Sequence, residues 1–114
     1  MKPDVLFEIA DELAHEVYKI SKSFPKEELF GITSQLRRAA LSVILNVTEG
    51  FARLGNLEFS RFLKIAYGSL KETKYLLRFC YEEKLISERD YVRVEQLSER
   101  VGKLLWGRIK SLSK

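Results

Sequence analysis

Five residues on one stretch of the chain have the types and spacing to hold a polyanion. Lys64, Tyr67, Lys71, Lys74 and Arg78 follow one another at intervals of three, four, three and four, which lines them up along one side of a helix. No acidic residue interrupts the line, and the tyrosine among the cations supplies a ring. Cations neutralise phosphates and an aromatic face stacks on an exposed base, so this is the chemistry of nucleic-acid binding. The competing reading is a solvated lysine-bearing face with no ligand. Arg37, Arg53 and the run of Arg100, Lys103, Arg108, Lys110 and Lys114, which no acid follows after Glu99, are auxiliary candidates.

Other constellations are weaker. Glu12-Leu-Ala-His15 has the E-x-x-H spacing of di-iron helix bundles, but such sites use two of these pairs and His15 is the single histidine. It also falls opposite the apolar face of its helix, where pairing with Asp11 or Lys19 is expected, and no metal is predicted. Gly50 and Gly55 have P-loop spacing, but Asn56-Leu57 stands where Lys and Ser/Thr are required and no strand precedes them. Cys80 lies on an apolar stripe, the place of a small buried hydrophobe, and one cysteine makes no internal disulfide. Nothing here assembles a catalytic centre or a cofactor site, and the expectation is a protein that is not an enzyme.

A second polar line is unusual for its surroundings. Gln35, Arg38, Ser42, Asn46 and Glu49 fall within about 80° of one another on a helix, while Leu36, Ala39, Ala40, Leu41, Val43, Ile44, Leu45 and Val47 cover most of the remaining circumference. A helix apolar on several sides is buried on several sides, which in so small a chain points to contact with another protomer. The polar line, with Glu72 opposite, is expected to form a network that fixes register or assembly, because half-satisfied buried polar groups are costly.

These lines require helices to present them. The 114 residues, 46% hydrophobic and 32% charged with two prolines and six glycines, suit one compact domain over residues 1–114. Leu6, Ile9, Ala10, Leu13, Val17 and Ile20 mark a first helix over Asp4–Lys22. Pro25 breaks it, Lys26-Glu27-Glu28 makes a single turn, and a second helix runs from Gly31 or Ile32 to Glu49. Gly50 and Gly55 are expected to separate it from a third helix over Leu57–Lys84, with Asn56 accepting its first backbone donors. Ser87-Glu-Arg-Asp90 resembles a capping box opening a fourth helix near the C-terminus. Short connections between four amphipathic helices predict an all-α, antiparallel up-and-down four-helix bundle.

Charge and hydropathy narrow the setting. Residues 1–55 carry eight acids and seven bases, residues 56–114 eight acids and thirteen bases, so the net +4 resides in the second half. Acids at Asp4, Glu8, Asp11, Glu12 and Glu16 occupy the region where a secretory signal needs bases and then an apolar run. The apolar stretch Ala39–Val47 is too short for a membrane span. A cytoplasmic protein is expected.

Tyr18-Lys-Ile-Ser-Lys-Ser-Phe-Pro25, Thr33-Ser-Gln-Leu-Arg-Arg-Ala-Ala40, Asn46-Val-Thr-Glu-Gly50 with Arg53, and Glu58-Phe-Ser-Arg-Phe-Leu-Lys-Ile-Ala-Tyr-Gly-Ser-Leu-Lys-Glu72 resemble the bacterial four-helix bundle protein family. That family includes proteins encoded in intervening sequences of large-subunit ribosomal RNA genes. The resemblance covers nearly the whole chain and is densest from Phe24 to Glu72. It implies an up-and-down bundle assembling as a homo-oligomeric ring, typically a homopentamer, without catalytic activity or cofactor. The related accessory variability determinant of diversity-generating retroelements implies work beside a reverse transcriptase and contact with nucleic acid through basic surface. The family's motif positions match Gln35, Arg38, Asn46, Glu49, Gly50, Ser69 and Glu72. One departure is the absence of a proline near Ile44-Leu45, which implies a straighter second helix here.

The functional expectation is a self-associating bundle that binds RNA or DNA through Lys64, Tyr67, Lys71, Lys74 and Arg78. The alternative is a protein-interaction scaffold or accessory subunit whose basic face is incidental.

Overall fold

A computed structural model describes residues 4–113. Four α-helices account for most of them: α1 (Val5–Ser21), α2 (Ser34–Ala52), α3 (Asn56–Glu82) and α4 (Glu88–Leu112). There is no strand among the described residues. The molecule measures 44 × 26 × 25 Å, the long axis being close to the roughly 40 Å that α3 spans at 1.5 Å per residue.

Each helix has two principal neighbours, α1 touching α2 and α4, and α3 touching α2 and α4. The core between them is built from the residues that recur at helical spacing, with Leu6, Leu13, Val17, Leu36, Val43, Val47, Leu63, Leu70, Leu77, Val94, Val101 and Leu105 fully buried. Of the eight apolar residues between Leu36 and Val47, six (Leu36, Ala39, Ala40, Val43, Ile44 and Val47) are buried within the bundle. Leu41 is half-buried and Leu45 is 59% exposed. The apolar surplus on α2 thus narrows to the Leu41–Leu45 side, because α1 and α3 flank the helix and absorb the rest.

Helix ends follow local chemistry. Asp4 caps α1, its Oδ1 accepting from the Leu6 amide at 2.9 Å, and Ser87 caps α4 by accepting from the Asp90 amide at 3.1 Å. After Pro25 comes a 3₁₀ turn at Lys26–Glu28 and a wide π-type turn at Leu29–Thr33, broken at Gly31 (φ −108°, ψ −113°). Regular α2 therefore begins at Ser34, later than periodicity predicts, and runs unbroken to Ala52.

The α2–α3 connection differs from the sequence expectation. Gly50 does not end α2: it is buried inside the last turns, where an added Cβ would stand 3.0 Å from Cδ1 of Phe59. Asn56 does not cap α3 either. Gly55 precedes the helix at φ 89°, and its carbonyl accepts from the Phe59 amide at 3.2 Å. The turn geometry needs one residue at positive φ, and only Gly55 adopts it without cost. At the far end of α3, Lys84 takes the left-handed conformation (φ 65°). The Leu85 amide reaches the Cys80 carbonyl at 2.8 Å and the Lys84 amide the Tyr81 carbonyl at 3.0 Å, a Schellman closure with lysine in the usual glycine position.

Candidate nucleic-acid interface

The middle of the basic line on α3, Tyr67, Lys71 and Lys74, forms one wall of a groove against α4, with Lys64 and Arg78 outside it. Lys64, Lys71 and Arg78 are exposed, while Tyr67 and Lys74 are half-buried. Between Lys64 and Arg78 the line has no acid, but two of its members find carboxylates, one from α4 and one from the last turn of α3 itself. Lys74 donates to Oε1 of Glu99 on α4, and Arg78 lies 3.9 Å from Glu82 one turn on. Burial alone would lower the Lys74 pKa, but the hydrogen bond it donates to Glu99 and the charges of Glu95 and Glu99 outweigh it and raise it above the ordinary lysine value. Glu99 is held below the usual carboxylate value by that hydrogen bond and the Lys74 charge. Two of the five predicted residues thus spend charge on structural pairs, and Lys64 and Lys71 remain without an ion pair among the described residues.

Trp106 is the residue that sequence reasoning missed. It stands 54% exposed on α4, its ring centroid 6.0 Å from that of Tyr67 at an interplanar angle of 42°. Lys71 Nζ lies 5.3 Å from the Tyr67 centroid. Together with Leu70, Lys74, Glu99, Gly102 and Lys103 these residues line a groove of about 240 Å³. Lys71, Lys74 and Lys103 outnumber Glu99 there. Tyr67 is half-buried with two neighbours at its ring, whereas Trp106 is the more exposed of the two aromatic side chains. The available signal was the single tryptophan of the chain, three residues after Lys103 and four before Lys110 on the face of an amphipathic helix.

The auxiliary cations divide. Arg37 is a joint between α1 and α2: its Nε donates to Ser21 Oγ at 2.8 Å, and its guanidinium covers the Tyr18 ring at 4.6 Å. Arg53 pairs with Glu49 at 3.5 Å and lies over Phe62 at 4.7 Å. Arg108 is matched by Asp4 at 2.7 Å, so the basic C-terminal run is not free of acids in space. Arg100, Lys103 and Lys110 are exposed, and Lys114 lies outside the described residues.

The polar line of α2 lies along its seam with α3. At its centre Ser42 Oγ and Ser69 Oγ are 2.7 Å apart, and Asn46 Nδ2 donates to the Ser42 carbonyl at 2.8 Å and to its hydroxyl at 3.1 Å. The internal network is confined to these three residues. Glu49 is satisfied by Arg53 at the surface. Gln35, Arg38 and Glu72 are exposed at the rim of a second groove, of about 420 Å³, with Ala39, Ser42 and Leu76. Arg38 and Glu72 face this groove without forming an ion pair. Charged side chains are long enough to leave the seam, and water rewards them for doing so.

The remaining candidates have local explanations. His15 is exposed and sits 3.5 Å from Asp11. Cys80 is fully buried, and burial followed by the Glu28 charge pushes its thiol up to about 11. That is the condition of an unreactive thiol. Among the described residues no three His, Cys, Asp or Glu side chains are grouped to hold a metal ion, and no helix is long and apolar enough to cross a membrane.

Comparison with known proteins gives a consistent result. The family model described as 23S rRNA-intervening sequence protein matches residues 5–107. A crystal structure from Bacteroides thetaiotaomicron VPI-5482, described as a protein with unknown function from the S23 ribosomal protein family, superposes with a TM-score of 0.86 at 25% identity. The match covers 93% of this chain and 96% of that one. No curated protein matches the sequence.

Proposed function

The chain belongs to the 23S rRNA-intervening sequence protein family, and on that premise we propose a non-enzymatic, self-associating bundle that binds RNA or DNA through the α3/α4 face. The observation that carries this reading is Trp106, half-exposed beside Tyr67 and framed by Lys71 and Lys103. Lys64, Lys71 and Lys103 supply the phosphate contacts and Trp106 the stacking surface, whereas Arg100 lies in the groove between α1 and α4 with Glu12 and Glu16. Lys74 and Arg78 add to the field while holding their structural partners. Phosphate neutralisation provides most of the affinity and little sequence preference, and three contacts to a single strand give a log–log salt slope of roughly −2.

Several features support the assembly and the setting. The pairs Arg37–Ser21, Glu16–Arg93 and Asp4–Arg108 favour an antiparallel, up-and-down course. Leu45 on α2 offers apolar surface to a second copy, consistent with a homo-oligomeric ring such as a pentamer. The protein works in the cytoplasm without metal or cofactor.

The experiment is a titration of fluorescent single-stranded RNA and DNA at two salt concentrations. It compares the wild type with a Lys64→Glu/Lys71→Glu/Lys103→Glu variant and with Trp106→Ala. The triple variant is expected to bind at least about tenfold more weakly, and Trp106→Ala to lose roughly 1–3 kcal/mol of stacking. Equally weak binding by all three excludes the nucleic-acid reading. The second reading, a scaffold for another protein or an accessory subunit of a reverse transcriptase, is then favoured by Phe30 in the π-type turn and Leu54 in the α2–α3 connection, each 94% exposed.

A further inference from the structure

The α2/α3 groove holds an arrangement that neither folding nor the basic face explains. Arg38 stands on its α2 wall and Glu72 on its α3 wall, opposite charges lining one cleft of about 420 Å³ without pairing. Ala39 and Leu76 form an apolar floor, 3% and 8% exposed. The adjacent wall is held by the Ser42–Ser69 hydrogen bond of 2.7 Å, braced by Asn46. A fork of donors, a pair of acceptors and an apolar bed are thus presented to one ligand.

We propose that this groove is a pocket for an unpaired guanine base. A guanidinium matches two adjacent acceptors, and guanine presents them as O6 and N7. A carboxylate matches two adjacent donors, and guanine presents them as N1–H and the N2 amine. The other bases fail one half of the test. Adenine and cytosine set an acceptor beside their amino group, against the carboxylate, and uracil flanks its one N–H with two carbonyls. Single-stranded RNA is read in this manner, by hydrogen bonds to the Watson–Crick and Hoogsteen edges of a splayed base.

The groove also communicates with the basic face. Tyr67 and Lys71 lie on the α4 side of α3, Ser69 and Glu72 on the α2 side, and Gly68 on the ridge between. Gly68 is exposed, and a Cβ there would meet nothing within 4 Å. A strand crossing α3 at this saddle, over a helix of about 10–12 Å diameter, places one base on Trp106 and another between Arg38 and Glu72. The connection rests on the nucleic-acid reading above. The pocket chemistry does not, since a free guanine nucleotide offers the same edges.

The test measures anisotropy of labelled oligouridine carrying one central guanine, adenine, cytosine or inosine. Guanine is expected to improve binding about tenfold over adenine or cytosine. Inosine, which lacks the N2 amine, loses most of that gain. Glu72→Gln and Arg38→Ala each abolish the preference, and because both side chains are exposed and have no ion-pair partner among the described residues the melting temperature stays unchanged. Lys71→Glu/Lys103→Glu weakens all four oligonucleotides alike and leaves the preference intact. Equal affinity for guanine and adenine, or a preference that survives Glu72→Gln, overturns the pocket while leaving the nucleic-acid reading in place. If no oligonucleotide binds, that reading fails, and calorimetry with GMP and AMP decides the pocket. GMP-selective heat that Glu72→Gln removes supports it, and equal or absent heat overturns it.

Discussion

Arg108 donates to Asp4 across 2.7 Å, joining the last turns of α4 to the first residue before α1. The same Asp4 carboxylate caps α1 through its other oxygen, at 2.9 Å from the Leu6 amide. The guanidinium also lies 5.7 and 6.0 Å from the ring centroids of Phe51 and Phe59. Arg108 thereby ties all four helices together at that end of the bundle.

Removing the carboxylate should therefore cost more than an ordinary surface change. Asp4→Ala is expected to lose about 1–2 kcal/mol from cap and pair together, a drop of several degrees in Tm. Asp4→Asn keeps the capping oxygen and loses less. Burial raises the Asp4 pKa, but the Arg108 hydrogen bond, the Leu6 amide and the Arg108 charge overcome it, so the folded value lies below the ordinary 3.8. A lowered carboxyl stabilises above its unfolded pKa and ceases to do so as pH falls through the folded one. Urea melts from about pH 6 down to about pH 3 should show this loss in the wild type and a flatter profile in Asp4→Asn.

Lys74 faces two carboxylates, and its removal should produce a pH-dependent deficit. Burial, and then the Glu99 charge, raises the Glu95 pKa, with Lys74 opposing the rise. In Lys74→Met, Glu95 and Glu99 repel each other at neutral pH and thermal stability falls. A carboxyl with a raised folded pKa binds its proton more tightly in the folded state, so stability recovers as pH falls through that value. The Tm deficit measured at about pH 7 should shrink near pH 5, and adding Glu99→Gln should restore much of it at neutral pH. A deficit independent of pH would show that Lys74 acts through packing alone.

Two helical glycines should respond with opposite signs. In Gly68→Ala the methyl group enters open space, and helix propensity stabilises by about 0.5–1 kcal/mol. In Gly50→Ala the methyl must displace Phe59, whose ring would lie 3.0 and 3.3 Å away and whose carbonyl 3.4 Å. Phe59 is itself packed on Phe51, with centroids 5.1 Å apart. Overpacking of this kind costs about 1–3 kcal/mol, enough to reverse the propensity gain in a chemical-denaturation comparison.

Lys84 occupies the left-handed position that ends α3 (φ 65°). Lys84→Gly keeps the Schellman hydrogen bonds and removes the steric penalty, and should raise stability by about 1 kcal/mol in equilibrium unfolding. Lys84→Ala, which retains the Cβ, should not.

Much of the architecture was legible because helix formation here is local. The apolar spacing of Leu6 to Ile20 and of Leu63 to Leu77 specifies period and buried face together, and Pro25 and Ser87 mark boundaries by their own chemistry. Gly50 was misread as a terminator because a glycine in a helix looks the same in sequence whether it breaks the helix or admits a neighbour, and the neighbour is Phe59 on α3. The functional face was half legible. The α3 cations could be found by spacing, since one helix carries them all. That Lys74 is claimed by Glu99, that Arg108 meets an aspartate 104 residues away in sequence, and that Trp106 rather than Tyr67 is the more exposed ring were not. The same holds for Arg38 and Glu72, which share a groove only because α2 lies beside α3. Sequence determined which residues lie on one face of each helix; only the packing of helices decided which faces meet, because that depends on contacts between residues far apart along the chain.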